Sequence, residues 1–168
     1  MNKSPEPIDF WLPIAVVFGG NTLAYFYCQY KTDNSYIDVF WGLTFITPIV
    51  SLLFYYASQG MTIYDRVILN TVLVSVWGLR LALHIGVRHT KEDFRYTDMR
   101  NRWMQGGLTA YYIRAFFYVF MLQALFSLIV NAASLFTTIY TGTQGLIWSD
   151  YLGLAVWVFG FGFECIGD

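Results

Sequence analysis

The sequence predicts an all-α fold, a polytopic membrane helical bundle with about five transmembrane helices. Three observations carry this. Of the 168 residues 57% are hydrophobic and only 12% charged, with a mean hydropathy of +0.47; a soluble domain carries about a quarter charged residues. The apolar residues lie in blocks, and five of the blocks reach the ~20 residues needed to span a bilayer. Short polar stretches separate the blocks, and aromatic residues cluster at block ends.

The first block covers 10–30, with Trp11 at one end and Tyr25, Tyr27 and Tyr30 at the other, placed as interfacial anchors. Gly19, Gly20 and Asn21 mark a close-packed or slightly broken point in its middle. KTDNSY connects it to a second helix over 37–56, which Pro48 is expected to kink. SQGMTIYDR leads to the third, over 67–87, and the polar RHTKEDFRYTDMRNRWMQGG reads as a loop over 88–107. The fourth stretch, 108–135, is long enough to tilt or protrude; TTIYTGTQG then turns the chain into the fifth, 146–168. The chain 1–168 reads as a single transmembrane domain without internal repeat. Its N-terminal MNKSPEPIDF is a short exposed lead-in, lacking the Arg-rich amphipathic character of a transit peptide.

Charge sets the orientation. With five spans, Lys31, Arg88, Lys91, Arg95, Arg100, Arg102 and Arg114 share one side and Lys3 and Arg66 the other. Seven against two places the basic loop and the C-terminus in the cytosol or mitochondrial matrix, and the N-terminus outside or in the intermembrane space. A net charge of −1 gives no electrostatic basis for nucleic-acid binding. Membrane lipids are the expected surroundings.

Ionisable residues converge on the basic side. Trp77, Arg80, His84 and Arg88 are spaced three, four and four residues apart, one stripe on the third helix. Asp38 begins the second helix, Arg114 lies in the first turns of the fourth, and Glu164 and Asp168 finish the fifth. A charge at membrane depth is expensive and faces a partner or a water-filled cavity. The expectation is a polar pocket of Asp38, Trp77, Arg80 and His84, with Arg80 paired to Glu164 and Asp38 as the alternative partner. Gln123 and Asn131 suit interhelical hydrogen bonds. The aromatic crowd from Tyr111 to Phe120 reads as packing and interface belt. Cys28 and Cys165 read as two small buried hydrophobes; with only His84 and His89 besides, no metal-ligand spacing is available.

WGLRLALH over 77–84, EDFRYTDMRNRW over 92–103, GFGFECIGD over 160–168 and DVFWG over 38–42 carry a resemblance. Together, and in this order, they resemble the membrane reductase family related to steroid 5-alpha-reductases. More narrowly, they look like its 3-oxo-5-alpha-steroid 4-dehydrogenase-like members of uncharacterised substrate. The resemblance implies hydride transfer from NADPH to an enone or other activated double bond of a lipid. It places Glu164 and Asp168 against the nicotinamide and ribose of the cofactor, with Arg80, Arg95 and Arg100 as further cofactor-binding candidates. In that family the fifth helix leads into a second half that supplies much of the cofactor pocket, whereas this sequence stops at the second acid. The expectation is therefore a non-catalytic integral membrane subunit, the front half of a reductase fold packing with other subunits in a larger membrane complex. A mitochondrial inner-membrane complex would suit it; the endoplasmic reticulum is not distinguished. The alternative is a fragment of an NADPH-dependent membrane reductase of an enone-bearing lipid or steroid.

Overall fold

A computed structural model of the chain describes residues 5–141 and 145–168. Among the described residues the regular elements are all helical: α1 (Pro7–Lys31), α2 (Tyr36–Ser58), α3 (Asp65–Arg88), α4 (Phe94–Met104) and α5 (Leu108–Ala115). A π-helical segment (Phe116–Met121) follows, then α6 (Leu122–Val130), α7 (Ala132–Tyr140) and α8 (Trp148–Gly167). Five stretches are long and apolar enough to cross a membrane: α1, α2, α3, Leu108–Val130 and α8. The all-α polytopic bundle is therefore the fold. Residues 1–4 of the expected lead-in, Lys3 among them, and 142–144 of the expected turn lie outside the described residues.

The first N–H groups of a helix lack acceptors, and α1 and α8 begin where the sequence eases that need. Pro7 opens α1, where its missing N–H leaves nothing unsatisfied. Asp9 turns back to accept from the Glu6 N–H at 2.7 Å. At the other end Thr32 sits in the left-handed region at φ 53°, which stops the helix. Asp150 does for α8 what Asp9 does for α1, accepting from the Ile147 N–H at 2.8 Å.

α2 packs between α1 and α3. Its closest approach is to α3, where the two backbones touch at Gly42 and Gly78. A Cβ built on Gly42 would stand 2.1 Å from the Gly78 carbonyl oxygen, and one on Gly78 would stand 2.5 Å from the Gly42 oxygen. In a membrane, where lipid tails are as apolar as the side chains, such close packing and interhelical polar contacts hold helices together. The core lies between α1, α2 and the π-helical segment, with Cys28, Ile37, Val119 and Phe120 at its centre. Tyr25 meets Phe116 and Phe120 edge-on, both at 5.2 Å. α3 buries little, and no residue of α8 is buried.

Four expectations change. Gly19 and Gly20 do not mark a close contact or a break: a Cβ on either meets nothing within 4 Å, and α1 runs through them. Only Asn21 turns inward there. The 88–107 segment is not all loop but contains α4. Asp93 caps that helix by accepting from the Arg95 N–H at 2.8 Å, and Tyr96, Met99 and Trp103 face the core at helical spacing. The fourth stretch is broken, with a widened π turn over Phe116–Met121 and a stop at Asn131 before α7 continues to Tyr140. Cys165 is exposed near the end of α8, whereas Cys28 is buried as expected.

Asn131 and Gln123 do bond between helices. Asn131 is 3% exposed and donates to the Phe45 carbonyl at 3.0 Å. That contact lies beside Pro48, which has no N–H to give the Thr44 carbonyl. Gln123 donates to the Tyr96 hydroxyl at 3.3 Å.

Candidate functional site: a polar end built by α2, α3, α4 and α8

The stripe on α3 meets the last two turns of α8. Arg80 Nη1 donates to Glu164 Oε1 at 2.6 Å and Nη2 to the Glu164 carbonyl at 3.2 Å. Nη2 also donates to the Asp168 carboxylate. Trp77 Nε1 donates to the other Glu164 oxygen at 3.0 Å, and the Phe161 ring lies 5.7 Å from the guanidinium carbon. Two acids one turn apart thus straddle one guanidinium, and Arg80 pairs with Glu164 as the spacing suggested. Asp38 is not its partner, being held by the Tyr96 hydroxyl at 2.6 Å and Arg95 at 3.3 Å. His84 and Arg88 complete the stripe, with Nε2 and Nη1 2.8 Å apart.

α4 lies across this same end, bound to the loop between α1 and α2. Glu92 accepts from Arg100 at 2.6 Å and from the Asn34 N–H at 2.9 Å. Arg100 also reaches the Thr32 carbonyl at 2.5 Å. His89 and Asp33 meet at 3.0 Å, with the His89 ring packed 4.3 Å from Tyr36. Asn34, Gln29 and Tyr111 close a buried ring of hydrogen bonds beneath. Two pKa values follow from these contacts. Hydrogen bonds from the Arg95 side chain hold the Asp93 carboxyl below its usual range, and burial together with the Asp38 charge pushes the Tyr96 phenol up.

Between α4 and the stripe is an open cleft of about 1120 Å³. Asp38, Trp41, His84, Arg88, Lys91, Arg95 and Gln123 are among the residues that line it. The ionisable residues expected on one side therefore do gather at one end. They form two groups rather than one, however. Arg80, Trp77, Glu164 and Asp168 make a closed cluster on the α3–α8 face. Asp38, His84 and Arg95 face the cleft, while Arg100 is spent on Glu92 and the Thr32 carbonyl.

Several residues at this end were not singled out from the sequence. Tyr96 ties Asp38 to Gln123, and Glu92 ties α4 to the first loop. The spacing of Tyr96, Met99 and Trp103 was a legible signal for α4. The pairing of Glu92 with Arg100, eight residues apart across a helix start, was not. Gln123 combines two features, since its Nε2 is used by Tyr96 while its Oε1 is buried without a partner. Among the described residues no carboxylate pairs with Lys91 or Arg88 at contact distance.

The fold and this arrangement define an integral-membrane helical bundle with one polar end. The chain belongs to the family described as "Protein of unknown function (DUF1295)", which matches residues 24–168. No curated protein and no solved structure matches the chain.

Proposed function

We propose that this chain forms the cofactor-facing part of a membrane reductase of the steroid 5-alpha-reductase type, acting with NADPH on an activated double bond of a lipid. One observation supports this most: among the described residues the cleft keeps two cations, Arg88 and Lys91, with no carboxylate at contact distance, and one buried amide oxygen, Gln123 Oε1, without a partner. Such groups suit phosphates and a hydrogen-bond donor respectively. The cleft's volume of about 1120 Å³ lies slightly above the usual range for small-molecule sites, enough room for a nucleotide. The nucleotide would supply the hydride. Arg88 and Lys91 would hold its phosphates, and Gln123 would accept from a carboxamide or ribose hydroxyl. Glu164 and Asp168 would reach the nicotinamide and ribose by lending acceptors that Arg80 now holds. Arg95, held by Asp93 and Asp38, would be a secondary contact, and Arg100 would stiffen α4. By the distribution of Lys and Arg, this end faces the cytosol or matrix.

By itself the bundle is non-catalytic in this reading. α8 has no buried residue, so the face opposite α3 is free to pack against further membrane helices that complete the site. The same observation favours a second reading, a packing subunit of a larger membrane complex whose acids serve only to neutralise Arg80. Binding separates the two. In nanodiscs, NADPH titration followed by nicotinamide fluorescence should saturate, and Lys91→Ala and Gln123→Leu should each weaken it about tenfold. Absence of saturable binding, or indifference to both substitutions, contradicts the cofactor reading and leaves the packing subunit.

A further inference from the structure

A second concavity shares no lining residue with the cleft. It is a groove of about 320 Å³ between α1 and α2. Val16, Leu23, Phe40 and Leu43 give it apolar walls, and Asn21, Thr44, Thr47 and the Tyr27 phenol bring the polar side-chain groups. Asn21 is 1% exposed. Its Nδ2 donates to the Val17 carbonyl at 2.9 Å, which fixes the amide's orientation, and its Oδ1 has no partner. Thr44 and Thr47 donate to the Trp41 and Leu43 carbonyls at 2.7 and 3.0 Å. The two threonine hydroxyls have therefore spent their donors on the backbone, and Asn21 Oδ1 is the buried acceptor left without a partner. At membrane depth no water is at hand to satisfy a buried amide oxygen.

The groove's shape restricts what can supply that donor. From Val16 to Tyr27 α1 rises about 16 Å, and Asn21 lies near the middle of this length. A narrow apolar trough with its acceptor midway suits one chain with a hydroxyl part-way along it, not a polar head at one tip. Ten residues beyond Asn21, about 15 Å along α1, stands Lys31. Its ammonium lies 6.0 Å from the Tyr27 ring centroid and 5.8 Å from that of Tyr30. Among the described residues no carboxylate pairs with it. We infer that this groove binds a single-chain anionic lipid carrying a mid-chain hydroxyl, with the hydroxyl donating to Asn21 Oδ1 and the headgroup beside Lys31. This site is independent of the nucleotide reading.

The test is competition against radiolabelled 12-hydroxyoctadecanoate on the protein in nanodiscs. Unlabelled 12-hydroxyoctadecanoate should displace the tracer at about tenfold lower concentration than octadecanoate or 12-oxooctadecanoate, because neither of those can donate; tenfold is about 1.4 kcal/mol, one hydrogen bond. Asn21→Leu should make the three competitors equal. Gly20 lines the groove, and a Cβ there meets nothing within 4 Å, so Gly20→Leu should fill the space in a folded protein and abolish tracer binding. Equal competition by all three on the unaltered protein, or tracer binding that survives Gly20→Leu, overturns the inference.

Discussion

Arg66 and Asp150 form a two-pronged ion pair, Nε to Oδ1 at 2.8 Å and Nη2 to Oδ2 at 3.0 Å, fourteen residues before Arg80 and Glu164 on both helices. α3 and α8 therefore run parallel and in register, clasped near both ends. Fourteen residues is two heptads, the repeat at which facing positions of parallel helices recur when they coil left-handed. Between the clasps stand Trp157 and Phe161, stacked at 4.6 Å. With no residue of α8 buried, the clasps supply much of what fixes it.

The two clasps are not equivalent. Arg80→Leu leaves two carboxylates without their cation, whereas Arg66→Leu leaves one that still caps α8 through the Ile147 N–H. The larger loss of protection is expected for Arg80→Leu, read as faster proteolysis of α8 in reconstituted protein. Equal protection in both variants and the unaltered protein would remove the clasps' role.

The crossing of α2 and α3 has no room for a side chain. Gly42→Ala should destabilise by about 3 kcal/mol, because the added Cβ meets backbone that cannot rotate away. Gly86→Ala serves as the control, since its Cβ meets only the Val39 side chain at 3.4 Å. It should be neutral or stabilising by up to about 1 kcal/mol. Unfolding midpoints in detergent compare the two directly.

Thr32 holds a left-handed conformation that a β-branched residue adopts at a cost of roughly 1–2 kcal/mol. Its carbonyl, not its side chain, receives Arg100. Thr32→Gly should therefore stabilise the protein by about 1 kcal/mol while keeping that contact. A fall in stability would show that the Thr32 hydroxyl, which donates to the Lys31 carbonyl at 2.7 Å, matters more than the strain.

Asp93 makes α4 acid-sensitive. Its carboxyl is depressed below the ordinary 3.8 chiefly by hydrogen bonds from the Arg95 side chain. A depressed carboxyl contributes stability above its unfolded pKa and loses it as pH falls through the folded one. Amide exchange in α4 should accelerate below pH ~3.8, and Asp93→Asn should remove that component while exchanging faster at neutral pH. An unchanged acid response in Asp93→Asn would assign it to other carboxylates.

Much of this was legible in the sequence for a simple reason: a spanning helix is a long apolar block, and charge inside one needs a partner. That logic located all five spans and the Arg80–Glu164 pair. It missed what depends on atoms meeting across elements. Gly42 and Gly78 are ordinary glycines until two backbones cross. Arg66 and Asp150 lay at block edges, where charge needs no explanation, so their register with Arg80 and Glu164 went unread. α4 was hidden by its polarity, although Tyr96, Met99 and Trp103 fall on one helical face. The break at Asn131 has no proline or glycine to announce it.

The central structural claim is that one guanidinium on α3 holds the end of α8 at the polar face. A charge exchange tests it most directly, by thermal unfolding of the reconstituted protein as a double-mutant cycle. Arg80→Glu should lower the midpoint by placing three acids together, and adding Glu164→Arg should restore most of the loss, since the new guanidinium can still serve Asp168. A double variant no more stable than Arg80→Glu alone would contradict the account.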